Sequence, residues 1–305
     1  MDRLRAFEVF VTVVSRGSFT RAAAVLDTSP ANVTRYVNEL EAHLGTRLLN
    51  RTSRSLSLTE SGETFYARCK SILDDVAETE GLVSSASVKP RGRLCINAPV
   101  SFGIRYLAPL WPEFMRMYPE VELDVALIDR VVDIVEEGFD LAIRISRAGS
   151  TNQAARKLAT SRNVLCASPA YLARSGYPAT SADLTGHRCI GYSYAATGDE
   201  WQLIDGDGRA HTVKVDCHMH TNNGDTARAA ALAGHGVIRQ PTFLVGNDLR
   251  AGTLVQVLPE YRLPDIDVLA LYPSRRHLSA KIRAMIDFLV EAFGGLPPWD
   301  RAEGT

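Results

Sequence analysis

The sequence has few cysteines and no excess charge of either sign. Its 5 cysteines are an odd number in 305 residues, and no two of them form a Cys-x-x-Cys pair. The sequence therefore predicts neither a disulfide framework nor a thiolate zinc site. Lys and Arg number 34 against 35 Asp and Glu. No overall field would attract polyanions, so a nucleic-acid site must be local.

Long hydrophobic runs are also missing. No segment approaches the ~18 apolar residues of a membrane-spanning helix, and Asp2 and Glu8 interrupt the N-terminal segment, which is unlike an export signal. We therefore expect a cytoplasmic protein without a membrane partner. The length, with 46% hydrophobic residues, predicts two or three hydrophobic cores.

Residues 1–58 predict three short helices and a hairpin. Apolar residues recur at helical spacing from Leu4 to Val14, from Phe19 to Leu26 and from Val33 to Leu44. Ser29 followed by Pro30 is a strong helix start, because serine caps a free amide and proline suits the first helical position. A preceding helix, this third helix and a following hairpin together predict a winged helix-turn-helix.

Two polar surfaces of this block could contact DNA. Short hydrogen-bonding side chains and one arginine lie opposite the apolar stripe of the third helix or near its start: Ser29, Ala31, Asn32, Thr34, Arg35 and Asn38. Such side chains can enter a major groove and hydrogen-bond to base edges. The hairpin tip carries Arg51 and Arg54, which suit phosphates. For the helix alone, an ordinary solvated face is the alternative.

Residues 59–88 predict one long helix. Its apolar residues follow one another at intervals of four, three, four and seven residues: Phe65, Cys69, Ile72, Val76 and Val83. This repeat is closer to 3.5 than to 3.6 residues and is typical of helices that pair with another helix. The alternative is a helix packed on its own domain.

Residues 92–305 alternate between strand and helix patterns, which predicts α/β architecture with parallel pairing. The first series includes a helix from Phe102 to Met117 and a short helix from Val131 to Glu137. We expect two lobes separated by a cleft, in the manner of periplasmic binding proteins. Lobe I covers about 92–162 plus 268–294, and lobe II covers about 163–267.

The cleft of the predicted lobes would bring together polar residues and helix starts. The candidate residues for binding a small molecule are Ser101, Phe102, Arg144, Thr221, Asn222, Asn223 and Gly224. Helix starts present free amides, so together with an arginine they suit a small anion such as a carboxylate. A structural ion pair of Arg144 and simple helix capping by Ser101 are the alternatives.

Other chemical motifs are weak. Cys217-His218-Met219-His220 resembles a metal-binding sequence, but in a regular strand the two histidines share one face and Cys217 lies on the other. We therefore expect no metal. The sequence contains no nucleophile, general base or cofactor loop at convincing spacing, so we also expect no catalytic residue and no cofactor.

The run SFTRAAAVLDTSPANVTRYVNELEAHLGTRLLNRTSRSLSLTESG, Ser18 to Gly62, closely resembles the DNA-binding segment of LysR-type transcriptional regulators. The resemblance covers dozens of residues without a gap. It implies that Ser29, Pro30, Thr34 and Arg35 lie at the start of the recognition helix and that Arg51 and Arg54 lie on the wing. Thr34 stands where serine is commoner and Asn32 where alanine often stands, which leaves the base preference open.

The resemblance implies a sequence-specific transcriptional regulator. Residues 59–88 would form a dimerisation helix, and the homodimer would bind a partly palindromic double-stranded operator. Tetramers or larger assemblies are also implied. The two-lobed domain would sense a small-molecule effector and change the oligomer arrangement on the operator. The rival interpretation is a cytosolic α/β small-molecule-binding protein or enzyme with an accessory helical domain.

Overall fold

A computed structural model describes residues 2–51, 56–83, 89–147, 154–273 and 278–300. The chain divides into two compact units, Met1–Lys89 and Pro90–Thr305, called the N-terminal and C-terminal units below. Among the described residues, no helix is both long enough and apolar enough to cross a membrane.

The N-terminal unit contains four helices and a hairpin. Its elements are α1 (Arg3–Arg16), α2 (Phe19–Val25), α3 (Pro30–Leu44), β1 (Leu49–Arg51), β2 (Leu56–Leu58) and α4 (Glu60–Val83). Serine caps begin α2 and α3: the Ser18 hydroxyl and, as predicted, the Ser29 hydroxyl accept amide hydrogen bonds at 3.4 and 3.2 Å. Gly17 and Gly45 end α1 and α3 at φ 59° and 67°, in the left-handed region where a Cβ is costly.

One apolar core joins α1, α2, α3 and the hairpin. Its fully or almost fully buried members are Ala6, Val9, Phe10, Val13, Ala22, Ala23, Val33, Val37, Leu40, Leu48 and Leu49. The first half of α4 packs on the same core, because the Phe65 ring lies 5.4 Å from Phe7 and 5.7 Å from Phe10 between centroids. Cys69 is fully buried, whereas Ile72 is 41% exposed. The start of α4 is therefore fixed within this unit.

Backbone contacts hold the start of α4 against the hairpin. The Thr59 amide donates to the Leu48 carbonyl at 3.0 Å, and the Thr59 hydroxyl donates to the Arg47 carbonyl at 2.8 Å. Gly62 fits here because it has no side chain: a Cβ would lie 2.0 Å from the Leu48 carbonyl oxygen. The close approach of two backbones thus requires glycine at this helical position.

The C-terminal unit contains two five-stranded mixed sheets. The first has the order β4-β3-β5-β14-β6, formed by β3 (Gly92–Ala98), β4 (Val121–Leu127), β5 (Leu141–Ser146), β6 (Ala154–Ser161) and β14 (Ile266–Tyr272). β3 pairs in parallel with β4 and β5, as the alternating pattern predicts. β14 is antiparallel to β5 and β6, so the late strand returns to the first sheet and makes it mixed.

The second sheet has the order β11-β8-β12-β7-β13. Its strands are β7 (Asn163–Ala167), β8 (Arg188–Tyr192), β11 (Asp216–Thr221), β12 (Val237–Pro241) and β13 (Val255–Val257), while β9 (Glu200–Ile204) and β10 (Ala210–Lys214) form a separate hairpin. The helices of this unit are α5 (Val100–Phe102), α6 (Trp111–Met117), α7 (Pro169–Ser175), α8 (Gly224–Leu232), α9 (Thr242–Ala251) and α10 (Ala280–Ala292). The two sheets form the two lobes of an α/β fold.

Two predicted helices differ from the structure. The segment predicted as one helix from Phe102 to Met117 changes its winding at Gly103–Leu107 and Ala108–Leu110 before α6. The predicted helix from Val131 to Glu137 is wrong, since only a single turn is present. The carboxylate of Asp133 accepts the amides of Val135 and Glu136 at 2.9 and 3.0 Å, and such local bonds compete with a helix.

The regular alternation assumed for Cys217 to His220 is also wrong. Cys217 pairs with Cys189, but Met219 pairs with the next residue, Ile190, so β11 contains a bulge at this point. An extra residue reverses which face the following side chains occupy. Cys217 and His220 therefore share one face, and Met219 packs in a different core from Cys217.

We expect Gly62→Ala to destabilise the N-terminal unit by ~1–3 kcal/mol, because the added methyl group would overlap the Leu48 carbonyl, which cannot rotate away. Without this overlap, alanine would stabilise a helix interior by ~0.5–1 kcal/mol. Urea unfolding measures the change, with Ser61→Ala at the neighbouring exposed position as the control. Unchanged or increased stability of Gly62→Ala would contradict the close approach.

Candidate nucleic-acid interface and ligand site

The polar face of α3 is exposed. Ser29, Pro30, Asn32, Arg35 and Asn38 are exposed, and Thr34 is half-buried. On the opposite side, Val33, Val37 and Leu40 have no exposed surface. The helix is therefore anchored by one stripe, and its other stripe is accessible to a partner.

Weak local contacts hold the side chains of this face. The Thr34 hydroxyl donates to the Pro30 carbonyl at 2.9 Å. The Arg35 guanidinium is 3.0 Å from the Glu39 carboxylate and 5.0 Å from the Tyr36 ring centroid, and the Arg35 side chain is 56% exposed. An exposed ion pair of this kind contributes only ~0–1 kcal/mol, so redirecting Arg35 to a base edge would cost little.

Hydrogen bonds attach the hairpin to the C-terminal part of α3. The Glu41 carboxylate accepts the amides of Leu48 and Leu49 at 2.8 and 3.0 Å. Arg51 is the last residue of β1. The Arg51 side chain and the whole of Arg54 lie outside the described residues.

In the C-terminal unit, Asn223 connects the two lobes. Asn223, which caps α8, donates from its amide nitrogen to the Ser101 hydroxyl at 3.4 Å and to the Asp129 carboxylate at 3.0 Å. The second oxygen of Asp129 accepts the Val100 amide at 2.9 Å. The start of α5 thus interacts with an internal carboxylate, and the sequence analysis did not identify Asp129. Its position after β4, at the end of a predicted strand, was the available signal.

Thr221 and Asn222 stabilise the loop before α8. The Thr221 hydroxyl accepts the Asn223 amide at 3.1 Å, and Asn222 donates to the Tyr194 hydroxyl at 3.3 Å. Asn223 also accepts the Thr226 amide through its side-chain oxygen at 3.1 Å. The amides at this helix start are therefore partly satisfied within the chain.

Two candidate residues are fully or nearly fully enclosed. Phe102 has no exposed surface, and its ring packs in an aromatic cluster with Tyr106, Phe243, Phe293 and Trp299 at centroid distances of 5.3 to 5.7 Å. Gly224 is buried, and a Cβ there would lie 2.3 Å from a Leu244 methyl group. Both residues position the neighbouring Ser101 and Asn223, and neither presents a surface in this conformation.

A second connection between the lobes is ionic. Arg105 pairs with the Asp225 carboxylate and donates to the Leu244 carbonyl at 3.4 Å. The Tyr106 hydroxyl donates to the Phe243 carbonyl at 2.8 Å. Burial acts to raise the pKa of Asp225, but hydrogen bonds from Ser101 and Arg105 outweigh it and leave the pKa of Asp225 below its ordinary value. The sequence analysis did not identify Arg105, because it lies inside a predicted helix without a motif.

The hydrogen bonds of the Arg144 guanidinium are incomplete among the described residues. One guanidinium nitrogen donates to the Asn97 side-chain oxygen at 2.7 Å and to the Ile143 carbonyl at 3.3 Å. The other terminal nitrogen is buried and has no hydrogen-bond partner among the described residues. Burial lowers the pKa of Arg144, which the charge of Glu137 opposes in part. No ion pair of Arg144 is found among the described residues, so the structural ion pair considered from the sequence is not supported.

Both units match known protein families. Residues 4–63 match the family described as bacterial regulatory helix-turn-helix protein, lysR family. Residues 87–294 match the LysR substrate binding domain.

Known proteins of similar sequence and structure are regulators. The chain is 35% identical over 299 residues to an HTH-type transcriptional repressor of Pseudomonas aeruginosa (strain UCBPP-PA14), covering 97% of this chain and 94% of the repressor. The structure of CrgA, a LysR-type transcriptional regulator from Neisseria meningitidis, is similar at a TM-score of 0.60 and 34% identity, with coverage of 95% and 99%. The Vibrio cholerae virulence activator AphB has a TM-score of 0.59 and 28% identity, with coverage of 94% and 98%.

We expect Asp225→Asn to destabilise the C-terminal unit at neutral pH, because it removes the charge that pairs with Arg105. A carboxylate whose folded pKa is lowered stabilises the fold above its unfolded pKa of ~3.9, and this contribution is lost as the pH falls through the folded pKa. The difference in urea midpoint between the parent and Asp225→Asn should therefore shrink as the pH falls below ~4. A difference that stays constant down to pH ~2 would contradict this assignment.

Proposed function

The chain belongs to the LysR family of transcriptional regulators, and from that premise we propose how its own residues contact DNA and an effector. Like its relatives, it is a DNA-binding transcriptional regulator with an effector-binding domain, and it is not an enzyme. This membership excludes the rival interpretation as an enzyme with an accessory helical domain. Acting on DNA, the protein would work in the cytoplasm.

The exposed face of α3 carries the proposal for DNA binding. Asn32, Thr34, Arg35 and Asn38 contact base edges in the major groove, and Ser29 and Pro30 fix the start of the helix that presents them. Accessibility of Arg35 and its weak pairing with Glu39 support this assignment. Arg51 and Arg54 on the wing neutralise phosphates, which positions the helix without specifying sequence.

We assign dimerisation to α4 beyond the segment that packs on its own unit. Phe65 packs against the core of the N-terminal unit and Cys69 is fully buried, while Ile72, about one helical turn further on, is 41% exposed and continues the repeat of about 3.5 residues. A dimer places two recognition helices ~34 Å apart, one turn of DNA, so the operator is partly palindromic. Tetramers or larger assemblies are part of the proposal through the family resemblance.

The effector is a small anion that binds at Arg144. The incomplete hydrogen bonds of this half-buried arginine support the assignment, since a partly buried charge without a full set of partners is costly and a carboxylate would supply the missing acceptors. Ser101, Thr221, Asn222 and Asn223 supply polar contacts from both lobes. Phe102 and Gly224 are buried next to Ser101 and Asn223 and fix the positions of these two residues.

Regulation follows from a shift between lobe arrangements. The contacts of Asn223 with Asp129 and of Arg105 with Asp225 stabilise the arrangement described above. An effector changes the population only if it binds two arrangements with different affinity. A change in lobe packing alters the subunit arrangement and therefore the positions of the paired recognition helices along the operator.

We expect Arg35→Ala to reduce the preference for operator over scrambled DNA by ~5- to 150-fold, because a bidentate base contact is worth ~1–3 kcal/mol. Gel shift with the DNA upstream of the protein's own gene measures the ratio. Arg16→Ala, at the exposed end of α1, is the control.

Arg51→Ala should instead weaken binding to operator and scrambled DNA alike. It should also reduce the slope of log affinity against log salt concentration by about one, the contribution of a single phosphate contact. Parental binding by both Arg35→Ala and Arg51→Ala would refute these assignments.

We expect Arg144→Met to abolish stabilisation by small carboxylates, because methionine offers no positive charge and no donor. The ligand-free variant should also melt at a lower temperature, since the buried side-chain oxygen of Asn97 loses the hydrogen bond from Arg144, and an unsatisfied buried acceptor costs ~1–3 kcal/mol. Thermal unfolding of the full chain with a panel of mono- and dicarboxylates measures both effects. Arg116→Ala, an exposed arginine of α6, is the control. An equal response of the parent and Arg144→Met, or no response of the parent to any anion, would contradict the site.

A further inference from the structure

Three side chains with metal-binding atoms meet in lobe II, outside the surfaces described above. Asp199 precedes β9, whereas Cys217 and His220 belong to β11. Their carboxylate oxygen, thiol sulfur and imidazole nitrogen lie within 4.8 Å of one another. The His220 Nε2 atom is 2.8 Å from the Asp199 Oδ1 atom. No second group of this kind is found in the parts of the chain that the structure describes.

The bulge in β11 creates this arrangement. Cys217 pairs with Cys189 of β8, and His220 pairs with Gly191. Cys189 and Gly191 are two residues apart on one strand and therefore face the same side of the sheet. Without the bulge, Cys217 and His220 would lie on opposite sides, so the convergence depends on one inserted residue.

Gly191 supplies the space in which the side chains meet. A Cβ at this position would lie 2.7 Å from the His220 Cδ2 atom, 2.9 Å from its Nε2 atom and 3.2 Å from the Asp199 Oδ1 atom. Any larger residue would push the imidazole away from the carboxylate. The His220 and Asp199 side chains are 47% and 33% exposed, so a solvated ion can reach them.

We propose that Asp199, Cys217 and His220 bind a divalent cation of borderline softness, with Zn²⁺ as the best fit. One oxygen, one sulfur and one nitrogen ligand form a donor set that Zn²⁺ accepts and that Mg²⁺ and Ca²⁺ do not prefer. Bond lengths of ~2.0–2.3 Å place tetrahedral ligands ~3.3–3.8 Å apart. The ligand atoms lie within 4.8 Å of one another, so the longest separation needs to shorten by about 1 Å, while His220 Nε2 and Asp199 Oδ1, now 2.8 Å apart, need to separate by about 0.5 Å. Water completes the coordination, because the site is open to solvent.

Charge balance favours this class of ion. Thiol ligands bind metals in the deprotonated form, so a bound cation displaces the proton of Cys217. The thiolate and the Asp199 carboxylate then neutralise the two positive charges of the cation. His220 binds through Nε2, which is hydrogen-bonded to Asp199 in the absence of a cation. The proton of Nε2 therefore moves to Nδ1 of the same ring, because a metal ligand must be the unprotonated nitrogen of the neutral imidazole.

The chain contains two matched controls. His211 pairs with Asp205 at 2.7 Å and is not part of any three-ligand group among the described residues. His218 lies in the bulged segment of β11 and is not part of the cluster. Variants at His211 and His218 remove a histidine without touching the proposed ligands.

Titration of the metal-stripped full chain with Co²⁺ tests the site, because cobalt replaces zinc and absorbs through charge transfer only when a thiolate is bound. We expect one Co²⁺ per chain with this absorption, and its loss on addition of Zn²⁺. Cys217→Ser should abolish the band. His220→Ala and Asp199→Asn should weaken binding by more than the ~10–100-fold that loss of an outer-shell partner costs. His211→Ala and His218→Ala should bind as the parent does.

Three results would overturn the proposal: no charge-transfer band in the parent, an unchanged band in Cys217→Ser, or equal losses in His220→Ala and the two control variants. Circular dichroism of each variant separates loss of a ligand from loss of the fold. If Cys217→Ser does not fold, the band of His220→Ala against that of His218→Ala decides the question.

Discussion

The orientation of α3 depends on the burial of Val33, Val37 and Leu40. Each fully buried aliphatic side chain contributes ~1.5–3 kcal/mol, whereas the contacts that hold Arg35 on the opposite face are those of an exposed ion pair worth at most ~1 kcal/mol. The apolar stripe therefore fixes the helix, and the polar stripe contributes little to stability. Base-contacting residues can change between relatives without a loss of folding, which separates specificity from stability.

Internal hydrogen bonds define which parts of the C-terminal unit remain available to a ligand. The sequence suggested that helix starts would offer free amides, but Asp129 accepts the Val100 amide and Asn223 accepts the Thr226 amide. An anion that used these amides would first have to displace groups of the chain. Arg144 differs, because one buried nitrogen of its half-buried side chain lacks a partner among the residues that the structure describes. The remaining binding capacity is thus concentrated on one side chain.

Local patterns predicted much of the N-terminal unit and less of the C-terminal one. The caps Ser18 and Ser29 and the terminal glycines act within a few residues, so the sequence is sufficient to place α2 and α3. Phe102 was placed at the site by its position after a strand, but its burial depends on Phe243, Phe293 and Trp299, which are distant in sequence. The ion pair between Arg105 and Asp225 likewise joins residues that are 120 positions apart in the sequence.

The residues Cys217 to His220 illustrate why regular strand alternation is a weak argument against a metal site. The order Cys217, His218, Met219, His220 alternates apolar and polar residues, and a regular strand with one buried face explains it fully. However, β11 is an edge strand of its sheet, and both faces of that sheet are covered: Met219 packs with the core that contains Ile190, and Cys217 with the core that contains Cys189. When both faces of a sheet are covered, an apolar residue can pack on either face. The alternation of apolar and polar residues then does not indicate which face a given residue occupies. The bulge is therefore compatible with the same pattern, and only the pairing of β11 with β8 distinguishes the two arrangements.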